Sequence, residues 1–153
     1  MSDTVIITQP EAGKSQIRFL PEKEGKYIVT LIYTQDITGL FLNEFIRFLN
    51  NRTEASRFVL PVCQDDGMIL LIGGGDKFFT LDETTGELHT FNITADEFIN
   101  VCCKAFRMYT EDWAKFDTFD APSDTPYLSD YTEHEAFIVQ SLDEIRQYYI
   151  RNE

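Results

Sequence analysis

Between Arg57 and Asn92 the chain falls into four short apolar runs, Arg57–Gln64, Met68–Ile72, Lys77–Asp82 and Glu87–Asn92. The connections between them are DDG (65–67), GGGD (73–76) and ETTG (83–86). Each joins glycine to aspartate or threonine, the chemistry of a tight antiparallel turn. The block therefore reads as a β-meander. The glycine triplet Gly73-Gly74-Gly75 could instead suggest a phosphate cradle. A phosphate loop needs backbone N–H groups aimed at the anion and then a helix N-terminus. Here Asp76 would repel the anion, and Lys77, Phe78, Phe79 and Thr80 favour a strand, so the triplet reads as a hairpin. The stretch 10-PEAGKS-15 is a second decoy. It has Thr8 where the nucleotide-binding pattern requires glycine, and no helical pattern follows it.

The flanking sequence adds both strands and helices. Val5–Thr8, Gln16–Leu20 and 27-YIVTLIY-33 read as strands, the last rich in β-branched and aromatic residues. In 40-LFLNEFIRFLNN-51, Leu42, Phe45, Ile46 and Leu49 fall at helical spacing, with Phe41 and Phe48 widening the apolar face. Thr94-Ala95-Asp96-Glu97 is a capping-box signature opening a helix over 95–109. Near the C-terminus, 136-AFIVQ-140 reads as a strand and Ser141–Glu144 as a second box opening a helix over 142–151. The alternative is one helix from Glu133, capped by Thr132. The expected fold class is α+β, a largely antiparallel β-meander sheet packed against two or three helices.

The 153 residues fit a single domain, 1–153, and an apolar fraction of 43% supplies a packed core. Formal net charge is −13. Such a surface repels nucleic-acid phosphates and anionic membranes and steers basic proteins toward itself, so neither direct nucleic-acid nor membrane binding is expected. The N-terminus lacks the basic start and apolar core of a signal peptide, and no run has the length of a membrane span. Cys63, Cys102 and Cys103 are odd in number, two of them adjacent, which reads as buried thiols in a reduced, cytoplasmic protein and not as a disulfide framework.

Chemistry-bearing patterns are sparse. His89 sits in an expected strand and His134 among acids, without a nucleophile elbow or a ligand spacing for zinc. The acidic turns 65-DDG-67 and 117-DTFDAPSD-124 offer oxygens but do not follow a calcium-loop register. No catalytic residue, metal or cofactor is assigned. The segment that departs from its surroundings is the acidic, aromatic-rich loop at about 110–135. Between Tyr109 and Glu135 eight acids face one lysine, Lys115, which is about half the net charge of the chain. Interleaved with them are Trp113, Phe116, Phe119, Tyr127 and Tyr131. One reading is a solvated loop whose aromatics pin it to the core. The other is a docking surface, with aromatics as anchors and carboxylates steering a basic partner. The residues that would carry it are Glu111, Asp112, Trp113, Phe116, Asp117, Asp120, Asp124, Tyr127, Asp130 and Tyr131.

The helix pattern FLNEFIRFLNN followed by 59-VLPVCQDDGMILLIGGGDKFFTLDETTGELHTF-91 resembles the SUKH superfamily. The likeness lies in the helix, in a Gly- and Asp-rich hairpin leading to FFTLD, and in the TGEL turn. Either 94-TADEFINVCC-103 or 140-QSLDEIRQYYI-150 could fill the closing helix. Leu40-Phe41 and Asn50-Asn51 stand where the family has Leu-Pro and Asn-Gly. The resemblance implies an α+β domain around a mixed sheet and a non-catalytic role, often as an immunity protein that neutralises a toxin. The leading expectation is thus an intracellular interaction protein, an immunity or inhibitor protein that binds and blocks a basic protein partner such as a toxin. Alternatives are a phage-type anti-defence protein mimicking nucleic acid toward a nucleic-acid-binding enzyme, and a small-ligand-binding domain or enzyme with a spatially assembled site. The aromatic content would also suit a homo-oligomer.

Overall fold

The computed structural model describes residues 3–21, 25–116 and 131–152. Strands β1 (Thr4–Ile7), β2 (Lys14–Leu20) and β3 (Tyr27–Ile32) form one antiparallel meander. Helix α1 (Ile37–Asn50) leads to a second meander of β4 (Phe58–Gln64), β5 (Gly67–Gly74), β6 (Lys77–Asp82) and β7 (Leu88–Phe91). Helices α2 (Ala95–Met108), α3 (Thr110–Ala114) and α4 (Tyr131–Arg151) complete the order. This is an α+β fold. The strands of the expected single sheet divide into two sheets, and among the described residues every strand pairing is antiparallel, unlike the mixed sheet that the SUKH resemblance implied.

Two glutamines join the two meanders where β3 faces β4. The Gln64 side-chain amide accepts the Thr30 N–H at 3.2 Å and donates to the Thr30 carbonyl at 2.8 Å. The Gln35 amide accepts the Cys63 N–H at 3.0 Å and donates to the Pro61 carbonyl at 2.7 Å. Each side chain takes the place of a peptide group along the facing edges of β3 and β4, so those edges are satisfied without a ladder. At the other seam the Asp3 N–H donates to the Asn92 carbonyl at 2.9 Å, and the Asn92 N–H donates to the Asp3 carboxylate at 2.7 Å.

The core is aromatic and shared by both sheets. Phe19 of β2 stacks on Phe91 of β7 at 4.4 Å between ring centroids, and Phe78 of β6 stacks on Phe98 of α2 at 4.3 Å. Phe45 and Phe48 of α1 meet Phe58 of β4 edge-on. Alternation along β4 sends Phe58, Leu60 and Val62 inward and leaves Val59 and Cys63 outside. Cys63 is therefore exposed, contrary to the expectation that all three cysteines are buried, while Cys102 and Cys103 lie inside α2. Burial pushes the Cys103 thiol up to about 12 against the opposing pull of Arg107, and burial together with Cys103 raises that of Cys102. Maleimide is expected to modify one thiol rapidly in the native protein and all three after denaturation. Rapid native modification of a second thiol would contradict this packing.

Both decoy motifs are turns. Gly74 pairs with Lys77, and Gly75 sits between them at φ +57°. In PEAGKS, Ala12 at φ 51° and Gly13 at φ 73° close a turn in which Glu11 pairs with Lys14. The capping box at α2 forms as the sequence indicates: the Glu97 N–H donates to the Thr94 hydroxyl at 3.0 Å, and the Glu97 carboxylate receives the Thr94 N–H at 3.4 Å.

Three helices differ from expectation: α3 and the first turn of α4 fall within the stretch expected as a loop at about 110–135. Helix α1 begins at Ile37, because the Asp36 carboxylate caps it by accepting the Gly39 N–H at 3.1 Å. The expected strand over 136–140 is instead part of α4, which runs unbroken through Ser141, as in the one-helix alternative. Ile138, Leu142 and Ile145 are buried at helical spacing, and that packing overrides the β propensity of Phe-Ile-Val. Among the described residues no helix is long and apolar enough to cross a membrane.

A polar lock joins the helices. Arg52, just beyond α1, grips the Asp96 carboxylate of α2 with two hydrogen bonds of 2.7 and 2.8 Å, and the Tyr149 hydroxyl of α4 donates to the same carboxylate at 2.6 Å. The Arg52 hydrogen bonds hold the Asp96 carboxyl below its ordinary value of 3.8, with Tyr149 adding to the effect against partial burial. A depressed carboxyl stabilises the fold fully above its unfolded value and ceases to do so as pH falls through the folded one. Asp96→Asn is expected to cost about 1 kcal/mol at neutral pH, a figure discounted for solvent screening. The difference from wild type should shrink on acidification below the ordinary carboxyl value of 3.8, as pH falls through the depressed folded value. Urea unfolding at several pH values tests this, and a difference independent of pH would contradict it.

Candidate functional site

The described part of the acidic segment is built around α3. The Thr110 hydroxyl donates to the carbonyls of Phe106 and Arg107 at 3.0 and 2.9 Å, finishing α2 and turning the chain into α3. One turn of helix then separates the side chains. Trp113, Ala114 and Phe116 point inward, and Glu111, Asp112 and Lys115 point outward. Trp113 is 0% exposed and meets Phe106 at 5.0 Å and Phe116 at 5.1 Å. Trp113 and Phe116 are therefore pins that hold α3 on the core, and the reading of them as partner anchors is corrected. Tyr131 is half-buried and packs against the core, with the Lys115 ammonium 4.6 Å above its ring. Asp117, Asp120, Asp124, Tyr127 and Asp130 lie outside the described residues.

The acids of α3 face the turn between β1 and β2. The Gln9 side chain donates to the Asp112 carboxylate at 3.0 Å across 103 positions of sequence. This brings exposed Glu11 onto the same face as Asp112. Pro10, Glu11, Gly13, Asp112, Lys115 and Phe116 line a hollow of about 250 Å³ there. Glu111 is exposed and holds Lys115 at 2.8 Å, so the cation of α3 is engaged locally. Glu11 was absent from the sequence-derived site. The PEAGKS turn was legible, but nothing local says which helix it faces.

The histidines play supporting parts. The His89 ring lies 4.6 Å from that of Tyr27. His134 Nε2 shares a 2.7 Å hydrogen bond with the Thr38 hydroxyl and lies 3.6 Å from Asp36, while Nδ1 donates to the Ala114 carbonyl at 3.1 Å. A nucleophilic triad places its acid and its nucleophile on opposite ring nitrogens. Here hydroxyl and carboxylate converge on one nitrogen, so His134 works as a clamp between α1, α3 and α4. Asp65 and Asp66 of the DDG turn line another hollow, of about 430 Å³, with Asp82. One oxygen of Asp82 is occupied by the N–H groups of Thr84 and Thr85 at 2.9 and 3.2 Å. Among the described residues no group of three or more His, Cys, Asp or Glu could hold a metal ion.

Comparison with protein-family models, with curated proteins and with solved structures finds no match to this chain.

Proposed function

We propose that this chain is a non-catalytic interaction protein that binds a basic protein partner and blocks it, as an immunity or inhibitor protein does. The observation that carries the reading is the meeting of Glu11 and Asp112 from distant segments at one hollow, with exposed Glu111 beside Asp112, in a stretch from Tyr109 to Glu135 that holds eight acids. Buried Trp113 and Phe116 give those carboxylates a fixed platform. Fixed charges raise encounter rates with an oppositely charged surface and hold it in register. A basic cleft covered by this face would be occluded stoichiometrically. The SUKH resemblance adds a toxin as the kind of target. A site inside the cell suits three free thiols.

Affinity capture from the producing cell with tagged protein, at low and at moderate salt, tests the reading. One basic partner, retained at low salt, weakened at moderate salt and lost on Glu11→Lys/Glu111→Lys/Asp112→Lys, is expected. A partner retained equally by the reversed variant would refute the acidic face as the docking surface.

A further inference from the structure

We infer that the groove between α2 and α4 is a second docking site, for an acidic amphipathic helix of a partner protein. Its floor is apolar: Ile99 and Cys103 of α2 and Leu142 and Ile145 of α4 are all buried. Its volume is about 510 Å³, and it continues past Arg107 and Arg146 into a hollow of about 260 Å³ that reaches Thr110 and Val139. On α4, Val139, Leu142, Arg146 and Ile150 fall on one face. Val139 to Ile150 spans about 16 Å at 1.5 Å per residue, the length of about three helical turns. The two apolar end residues are exposed, Val139 at 54% and Ile150 at 50%. A long open trough with apolar ends and an apolar floor matches the side chains that an amphipathic helix presents at i, i+3, i+4 and i+7.

Charge decides the kind of helix. The chain has 26 acids and 13 bases, yet this groove is bordered by two arginines, Arg107 from α2 and Arg146 from α4. Both are exposed, and neither guanidinium makes an ion pair or hydrogen bond within the described residues. Asp143 is the one acid on the lining, at the Val139 end. Two unengaged guanidinium forks beside an apolar floor select carboxylates flanking an apolar stripe, since each fork can take a carboxylate through paired hydrogen bonds. A basic helix would bring like charge against both. The sign is opposite to that of the α3 face, so the two sites would hold different partners or two regions of one partner.

The test uses the full chain and a synthetic helical peptide of about eighteen residues, long enough to span the trough. The peptide carries a leucine stripe flanked by glutamates, with glutamine- and lysine-flanked counterparts, and binding is followed by fluorescence anisotropy. The glutamate peptide is expected to bind at least about tenfold more tightly than the lysine peptide. Arg107→Glu/Arg146→Glu should abolish that preference, and Glu11→Lys/Glu111→Lys/Asp112→Lys should leave it intact, which separates this site from the α3 face. Both arginines are at the surface. Should the double reversal fail to fold, Arg107→Gln/Arg146→Gln reads out the same loss. Equal binding of the three peptides, or binding unmoved by the arginine variants, would overturn the proposal. So would concentration-dependent self-association abolished by the same variants, which would give the groove to a second copy.

Discussion

Trp113→Ala is expected to cost about 3–5 kcal/mol of stability, because it empties a large, fully enclosed site. In a chain of this length that corresponds to a melting temperature lower by roughly 10 °C, at about 2–4 °C per kcal/mol. The indole lies between Phe106 and Phe116, so its loss unpins α3 and, with it, the carboxylates of Glu111 and Asp112. Trp113→Phe is expected to be much milder. It keeps the ring contacts and removes an indole N–H that has no hydrogen-bond partner among the described residues. Trp113 is the only tryptophan of the chain, so native fluorescence reports directly on its surroundings. Blue-shifted emission protected from acrylamide is the expected result. Red-shifted, quencher-accessible emission would return Trp113 to the surface as a partner anchor.

The second large effect is expected at Gly73. A Cβ there would lie 2.3 Å from Cζ of Phe58, its cross-strand neighbour, whose ring is enclosed by Phe45 and Phe48. Neither ring nor strand can retreat without disturbing the core, so Gly73→Ala should cost about 1–3 kcal/mol from overpacking. Gly75→Ala is the control. Its Cβ would meet nothing within 4 Å, and only the φ of +57° opposes it, at about 1–2 kcal/mol. Urea unfolding compares the two variants, and the Gly73→Ala loss is expected to be the larger. Equal, small losses would mean that Gly73 is not pressed against Phe58. Gly74 completes the triplet, since a Cβ there would lie 2.5 Å from the Ser56 carbonyl oxygen, so one glycine admits a core ring, one a neighbouring backbone, and one turns the chain.

What the sequence made legible is what is local. The meander from β4 to β7, the glycine turns and the Thr94–Glu97 cap each rest on a few neighbouring residues, and their boundaries fall within two residues of expectation. The division into two sheets was not legible, because it depends on Gln35 and Gln64 reaching backbone 26 and 34 positions away. The strand reading of 136–140 failed because β propensity is a weak preference beside the burial of Ile138, Leu142 and Ile145. At the candidate site, composition located the acidic stretch but could not sort its aromatics. Only the helical phase of α3 turns Trp113 and Phe116 inward, and only the Gln9–Asp112 contact adds Glu11. The arginine-bordered groove escaped notice because Arg107 and Arg146 lie far apart in a sequence dominated by acids.

The most direct test of the central claim is the association rate of the captured partner as a function of ionic strength, for wild type and for Glu11→Lys/Glu111→Lys/Asp112→Lys. Electrostatic steering gives fast association that falls steeply with salt. The account predicts that charge reversal slows association by about tenfold or more at low salt and flattens the salt dependence. Unchanged rates at every salt concentration would contradict an acidic docking surface.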